Sequence, residues 1–529
     1  MYKIAVLDEI SDLGLQSLIA HPDFIVDFHL NQSELELTEL LKHYDGALLR
    51  SATTLTAPII ENSSLSVIAR AGVGVDNIDI DAATKKGIVV INAPDGNTIS
   101  ATEHTVALIL SLARNIPQAH HDLQNDEWNR KLYTGIELQH KTLGIIGFGR
   151  IGQGVSKRLQ SFGMNVLAYD PFLTNDKAND LEVTNASVEE IRDQADIITV
   201  HTPLTDKTKG MIDKDFFIKA KNNLIIVNVA RGGIINEEDL INALDNNEIR
   251  GAALDVFEAE PPLHQPIIHH PKIIVTPHLG ASTIEAQEKV AISVALELIE
   301  IFKNNNITHA VNAPVMTQKV TKEASPYLKV AELAGQVAIN LFNDGPGKIN
   351  IKYNGDLALD DTSLLTRTIV MNILKNQLLE NVNIINALYL LNEQHVIYNI
   401  EKNKDADYFT NYLEVTLEND TNIVTIGATV LKGYGPRIVK INDYPVDFKP
   451  DLHNLYIEHH DKPGVIGQTG QILGKYNINI GSMQLGRHDK GGKAIMTLTI
   501  DNEANEEVLD ALRKINGFVQ VRKIDLIHQ

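Results

Sequence analysis

The chain has no cysteine in 529 residues. That absence excludes disulfide cross-links, a thiolate nucleophile, zinc ribbons and iron–sulfur clusters, and it fits a reducing compartment. Basic residues are also in deficit: 47 Lys and Arg stand against 68 Asp and Glu, a formal net charge of −21. A surface of that sign repels phosphate backbones, so no nucleic-acid partner is expected. A small anionic substrate stays compatible, because it needs only a local cluster of Arg and Lys in a cleft. No apolar run reaches the ~18–20 residues that a membrane-spanning helix requires, so no membrane partner is expected. The first residues, Met1-Tyr2-Lys3-Ile4-Ala5-Val6-Leu7, run straight into a buried-strand pattern. No signal peptide is expected, and the expected location is the cytoplasm. There is no Walker A loop. The histidine pairs at 120–121, 269–270 and 459–460 are adjacent in sequence and lack the i, i+4 spacing of helical metal ligands, so no metal site is expected.

What is present is a glycine pattern. Residues 144–152 read Gly-Ile-Ile-Gly-Phe-Gly-Arg-Ile-Gly, which puts Gly147, Gly149 and Gly152 in G-x-G-x-x-G spacing. An apolar run (Leu143 to Ile146) precedes them and a helical pattern follows. A second strand, Met164 to Tyr169, ends at Asp170. Each part has a mechanical role. The first glycine turns the chain sharply out of the strand, the second lets a pyrophosphate approach the backbone, and the third lets helix pack close to sheet. A carboxylate about twenty residues on, here Asp170, suits the ribose hydroxyls of a dinucleotide. Asp170 would also repel a 2′-phosphate, and no Arg follows it, so the expected cofactor is NAD.

A length of 529 residues suggests about three or four domains. Before residue 98, short apolar runs (Ile4 to Leu7, Gly46 to Leu49, Val67 to Arg70, Ile88 to Asn92) read as buried parallel strands. A helix is expected over 99–115. More strands are expected at Ile197 to Val200, Leu224 to Val229, Gly251 to Val256 and Ile273 to Thr276. Then a long amphipathic helix runs from Thr283 to about Lys303. This layout predicts a nucleotide domain (99–282) inserted into a first α/β domain (1–98 and 283–312), with a cleft between them. After 313 helical patterns at 325–342 and 361–377 mix with alternating strands. From about 451 the order reads β-α-β-β-α-β.

Candidate chemistry gathers at the ends of the Rossmann-type strands: Arg231, Asp255, Glu260 and His278. Oxidation of a 2-hydroxy acid moves a hydride from C2 to nicotinamide and a hydroxyl proton to a base. His278 can take that proton, Glu260 can orient the imidazole and stabilise its cation, and Arg231 can hold a carboxylate or polarise the C2 oxygen. Singly, each is more often a surface ion pair, a boundary histidine or a solvated turn. Their shared strand-end placement behind a dinucleotide fingerprint favours the catalytic reading.

The segments Gly-Phe-Gly-Arg-Ile-Gly (147–152), Asn-Val-Ala-Arg-Gly-Gly (228–233), Ala-Leu-Asp-Val-Phe (253–257) and Pro-His-Leu-Gly-Ala (277–281) together resemble the D-isomer-specific 2-hydroxyacid dehydrogenase family. The segments at 48–53, 70–79 and 277–283, with the long C-terminal extension, resemble the long form of that family. The resemblance implies an α/β chain: a Rossmann nucleotide domain inserted in a flavodoxin-like substrate domain, then an α+β intervening domain (313–450) and a ferredoxin-like ACT domain (451–529). It implies Arg231, Glu260 and His278 as the catalytic set. It implies cofactor contacts from Val73, Arg150, Ile151, Thr202, Val229, Ala230, Arg231, Asp255, His278, Leu279, Gly280 and Ala281. Arg50, Ser51, Arg70 and Asn77 would bind the substrate. The implied activity is NAD-dependent oxidation of 3-phospho-D-glycerate to 3-phosphonooxypyruvate, the first step of a phosphorylated route to L-serine. A related 2-hydroxyacid dehydrogenase or 2-oxoglutarate reductase, and a non-catalytic redox-sensing scaffold, are the alternatives. A homodimer or homotetramer is implied, with Trp128 and Arg130 on the dimerisation arm. An amino-acid effector such as L-serine would be held by His459, Asp461 and Asn479. Asp461 stands where serine-sensitive relatives carry Asn, and its charge would repel an effector carboxylate.

Overall fold

The computed structural model describes residues 1–316, 318–343, 345–375, 377–378, 381–406 and 409–526, with the backbone alone for 318–325. The first sheet holds β1 (Tyr2–Val6), β2 (Phe24–Phe28), β3 (Gly46–Leu49), β4 (Val67–Arg70) and β5 (Val89–Asn92), all parallel, in the order β2-β1-β3-β4-β5. This is the flavodoxin-like winding. Strands covered by helices on both faces read as unbroken apolar runs, and every residue of β3 is buried. β2 was not among the expected strands. It is an edge strand, and Phe-Ile-Val-Asp-Phe is only partly buried, so its apolar signal is broken.

The second sheet holds β6 (Thr142–Ile146), β7 (Asn165–Tyr169), β8 (Thr184–Asn185), β9 (Ile197–Val200), β10 (Ile225–Asn228), β11 (Gly251–Leu254) and β12 (Ile273–Val275). Its order is β12-β11-β10-β9-β6-β7-β8, and all pairs are parallel. Counted from β6, this is the dinucleotide-binding order 3-2-1-4-5-6 with one further strand. The direction of winding reverses between β6 and β9, beside the glycine turn. The two-residue β8 is too short to leave a pattern in the sequence.

Helix α1 (Asp12–Ile19) belongs to the first sheet, and two long helices join the first sheet to the second. Helix α2 (Thr98–Arg114) carries the chain across and packs along α3 (Arg150–Gln160), the helix of the glycine motif. Helix α4 (Ile284–Asn304) carries it back. Thr283 caps it by accepting from the Ala286 amide at 3.2 Å. Its stripe of Val290, Val294 and Leu298 lies in one core with Ile4, Leu15 and Leu18. The helices α1 and α4 touch at Gly14, where a β-carbon would stand 2.2 Å from Ala291 Cβ.

The third sheet runs β13 (Lys348–Gly355), β14 (Ile397–Asn403), β15 (Asn411–Glu418), β16 (Ile423–Leu431), β17 (Gly435–Ile441) and β18 (Tyr444–Phe448). Its order is β14-β13-β15-β16-β17-β18, antiparallel except for β13 with β14. Helices α5 (Gln318–Leu341) and α6 (Ser363–Leu374) pack together beside it. They replace the expected spans 325–342 and 361–377, which were misplaced at their ends because end turns carry little apolar signal.

The last unit has β19 (His453–His460), α7 (Val465–Lys475), β20 (Ile480–Arg487), β21 (Lys493–Ile500), α8 (Glu506–Arg513) and β22 (Phe518–Asp525). Its sheet is antiparallel, ordered β20-β21-β19-β22, as in ferredoxin-like folds. Leu455, Ile457, Met496 and Leu498 share a core with Leu473 and Leu512 of its two helices. Tyr456, Ile495 and Ile524 alternate with them and share a core with Val337 and Leu341 of α5. The two central strands, β19 and β21, are therefore buried on both faces.

Candidate active site

The glycine turn is built as its spacing requires. Gly147 has φ +96°, and a β-carbon there would stand 2.6 Å from the backbone of His201. At Gly152 a β-carbon would stand 2.4 Å from the Gly147 carbonyl oxygen, whereas at Gly149 nothing lies within 4 Å. The first and third glycines are thus packing requirements, and the second leaves the helix N-terminus open to an anion. Asp170 braces the turn: its carboxylate accepts from the Phe148 amide at 3.0 Å and from the Phe172 amide at 2.9 Å. Arg150 pairs with Asp95 at 2.7 Å across the two sheets. Thr202 Oγ1 is buried and has no partner among the described residues. A dinucleotide fits these features, since it brings the acceptors that a buried hydroxyl and open helix N–H groups lack.

A cleft of about 820 Å³ opens where the C-terminal ends of both sheets face each other. Arg50 and Arg70 reach it from the first sheet. His201, Val229, Asp255 and His278 reach it from the loops after β9, β10, β11 and β12. His278 and Glu260 meet there: His278 Nδ1 and Glu260 Oε2 are 2.7 Å apart, and Glu260 Oε1 accepts from the Phe257 amide at 3.1 Å. The hydrogen bond to Glu260 raises the His278 pKa against the opposing effect of burial. Burial pushes Glu260 up, but its bond and charge contact with His278 win, and its pKa lies below the ordinary value. Each group thus stabilises the charged form of the other, which suits an imidazole that must gain a proton.

The turn that carries His278 is tied down by Asp255, whose side chain is fully buried. Asp255 Oδ1 accepts from the Leu279 amide at 2.7 Å, and Oδ2 from the Gly280 amide at 2.8 Å. His104 Nε2 and Thr276 Oγ1 also reach Oδ1. Burial raises the Asp255 pKa, yet these donors outweigh it and the carboxylate stays ionised.

Three guanidiniums also line the cleft: Arg50, Arg70 and Arg231. Glycines make room for two of them. A β-carbon on Gly72 would stand 1.9 Å from Arg70 Nη1, and one on Gly74 would stand 2.1 Å from Arg231 Nη2. Arg231 Nε donates to Asp76 at 3.0 Å. Burial, reinforced by Arg231 and Arg50, brings the Arg70 pKa down to about 10. Its Nε is buried without a hydrogen-bond partner among the described residues. A buried cation with an orphaned N–H beside two like charges has the donors and the charge to hold an anion.

Of the residues singled out in the sequence, Arg50, Ser51, Arg70, Val73, Ile151, Thr202, Val229, Ala230, Arg231, Asp255, Glu260, His278, Gly280 and Ala281 line the cleft. Leu279 does not, although its amide holds Asp255. Asn77 does not either. Its amide donates to the Arg50 and Thr53 carbonyls and fixes the Arg50 loop. The sequence reading missed Asp76, Asn97, His201 and Gln287, which also line it. Asp76 sits inside the quoted 70–79 segment, but only the folded loop shows it reaching Arg231. Burial lowers the His201 pKa to about 4, so its imidazole is neutral in the cleft.

The three effector candidates do not converge within one chain. His459 pairs with Ala494 at the start of β21, whereas Asn479 precedes Ile480, which pairs with Ile500 at its end. An eight-residue strand separates them by roughly 23 Å at ~3.3 Å per residue. Asp461 accepts from Arg487 at 2.7 Å and from the Gly491 amide at 3.1 Å. Asn479 donates to Asp501 at 2.9 Å. His459 Nε2 is buried without a partner among the described residues.

Comparison with known proteins agrees with this geometry. Residues 106–280 match the NAD binding domain of the D-isomer specific 2-hydroxyacid dehydrogenases, 323–442 the D-3-phosphoglycerate dehydrogenase intervening domain, and 453–517 the ACT domain. The D-3-phosphoglycerate dehydrogenase of Bacillus subtilis is 43% identical over 527 residues, covering 99% of this chain and 100% of that one. The chain belongs to the D-3-phosphoglycerate dehydrogenase family. The member of that family from Methanocaldococcus jannaschii is 39% identical over 528 residues, 99% of this chain and 100% of its own. Among solved structures, the NAD-dependent formate dehydrogenase of Staphylococcus aureus, in complex with NAD, is 32% identical with a TM-score of 0.53. It covers 58% of this chain and 97% of that one. The D-3-phosphoglycerate dehydrogenase family match and the glycine turn agree on NAD as the cofactor. No described helix is long and apolar enough to cross a membrane.

Proposed function

We propose that this chain oxidises 3-phospho-D-glycerate to 3-phosphonooxypyruvate with NAD, opening a phosphorylated route to L-serine. The observation that carries the reading is the Glu260–His278 pair facing three guanidiniums in one cleft. NAD, when bound, would supply the acceptor for the hydride from C2. His278 Nε2 takes the hydroxyl proton, since Nδ1 is committed to Glu260. Glu260 stabilises the imidazolium that results. Arg231 holds the carboxylate or polarises the C2 oxygen. Arg50 and Arg70 supply charge for the second anionic group. A lone carboxylate needs one such partner, so three guanidiniums favour a substrate with two anionic ends over glyoxylate or lactate. The intact acid–base pair favours an enzyme over a redox-sensing scaffold.

The reading extends to assembly and control. The segment 99–140, which exposes Ile116, Leu123, Trp128 and Leu132, is its dimerisation surface, and the enzyme is a cytoplasmic homodimer or homotetramer. The ACT domain takes an amino-acid effector, with L-serine the first candidate. His459 and Asp461 serve one end of the sheet and Asn479 the other, so a site that uses all three needs a second copy. A panel of 2-hydroxy and 2-oxo acids with NAD and NADP, with and without L-serine, tests the whole reading. Preference for an unphosphorylated acid would overturn it.

A further inference from the structure

His104 lies on α2, the helix that crosses from the first sheet to the second. Its side chain is one-fifth exposed, and its Nε2 lies 3.2 Å from Asp255 Oδ1 and 3.1 Å from Thr276 Oγ1. The chemistry of its neighbours fixes the tautomer. Thr276 spends its one hydroxyl proton on Asp255, so its oxygen can only accept from His104. The Asp255 carboxylate also only accepts. His104 Nε2 therefore carries a proton and donates to both. Asp255 in turn holds the amides of Leu279 and Gly280, which follow His278 directly. The same helix packs closely on α3, since a β-carbon on Gly154 would stand 2.7 Å from Thr102 Oγ1.

We propose that His104 is a positioning residue for the reaction: it locks the Asp255 carboxylate, and through it the His278 turn, so that His278 meets Glu260 in one geometry. This rests on the reading of His278 as the proton acceptor. The charged groups that face His278 are Glu260, Asp255 and Arg231, and His104 faces Asp255. A buried carboxylate that loses one of its donors gains freedom to turn, and the turn it anchors loosens with it. A loosened turn weakens the Glu260 contact that raises the His278 pKa.

The test uses the full chain with His104→Leu, His104→Gln and His104→Asn. For each, kcat and KM are followed across pH, with NAD binding and thermal melting alongside. His104→Leu is expected to lower kcat by about 10- to 100-fold, as misplaced reacting groups do, with little change in KM for the hydroxy acid. The acid limb of the kcat profile should move to lower pH. His104→Gln, which keeps a donor of similar reach, should restore most of both. His104→Asn, polar but too short, should behave like Leu and covers the case in which the Leu variant does not fold. An acid limb that stays in place in the Leu and Asn variants, or a Gln variant as slow as Leu, overturns the proposal. His278→Ala serves as the separating control. If it keeps wild-type rate and limb, the proton-acceptor reading has failed rather than the role of His104.

Discussion

Glu260 Oε2 lies 2.7 Å from Nδ1 of His278, eighteen residues further along the chain, and the two loops that bring them together follow different strands. Because this contact raises the His278 pKa, oxidation should speed up with pH as His278 loses its proton. Glu260→Gln should move that acid limb to lower pH, since the neutral amide no longer favours the imidazolium. A pH–rate profile of kcat checks this, and an unmoved limb would show that the pair is structural. His278→Ala should cost about 10²–10⁴-fold in kcat while NAD binding persists.

Gly74→Ala is a steric probe of the anion wall. The added carbon would meet Arg231 Nη2 at 2.1 Å, so the guanidinium must move. Activity should fall to a level near that of Arg231→Lys, which keeps the charge but loses the paired donors. Calorimetry with NAD should report near-normal affinity for both. Wild-type kinetics in either variant would remove Arg231 from the substrate site.

Asp170 should set cofactor choice. Its carboxylate is braced by the Phe148 and Phe172 amides and repels a 2′-phosphate. Asp170→Ser should raise the NADP to NAD ratio of kcat/KM, with some loss in NAD efficiency because the glycine turn loses a brace. Comparable efficiency of the native chain with NADP would contradict the assignment.

The two halves of the chain should prove mechanically coupled. Ile385 from the third-sheet region is 5% exposed in the core of the first sheet. Asn383 donates to the Gly87 carbonyl at 2.9 Å. Ile385→Ala should destabilise the first unit by about 2–5 kcal/mol, read by urea unfolding. A chain cut after residue 316 should still bind NAD, because the Ile307–Met316 bridge and the Asn312 contacts with Val90 and Ile88 remain. It should melt below the full chain. Equal melting temperatures would show that the docking at Ile385 carries no stability.

By itself the sequence determined the parts whose physics is local. Buried parallel strands appear as unbroken apolar runs, glycines at 147 and 152 mark backbone contacts that leave no room for a β-carbon while Gly149 keeps the turn open, and Val290, Val294 and Leu298 repeat at helical spacing. Strand ends then pointed to Arg231, Asp255, Glu260 and His278, because α/β sheets present chemistry there. The edge strand β2 stayed hidden, since half-buried residues leave no clean period. Only the tertiary structure decided what depends on distant chain segments meeting. It placed His104 on Asp255 across 151 residues and Asp76 on Arg231 across 155, and it turned Asn77 from the cleft to the Arg50 loop. It also set Asn479 and His459 at opposite ends of one sheet, because strand order and direction, which fix those ends, are settled by packing between elements rather than by any single stretch of sequence.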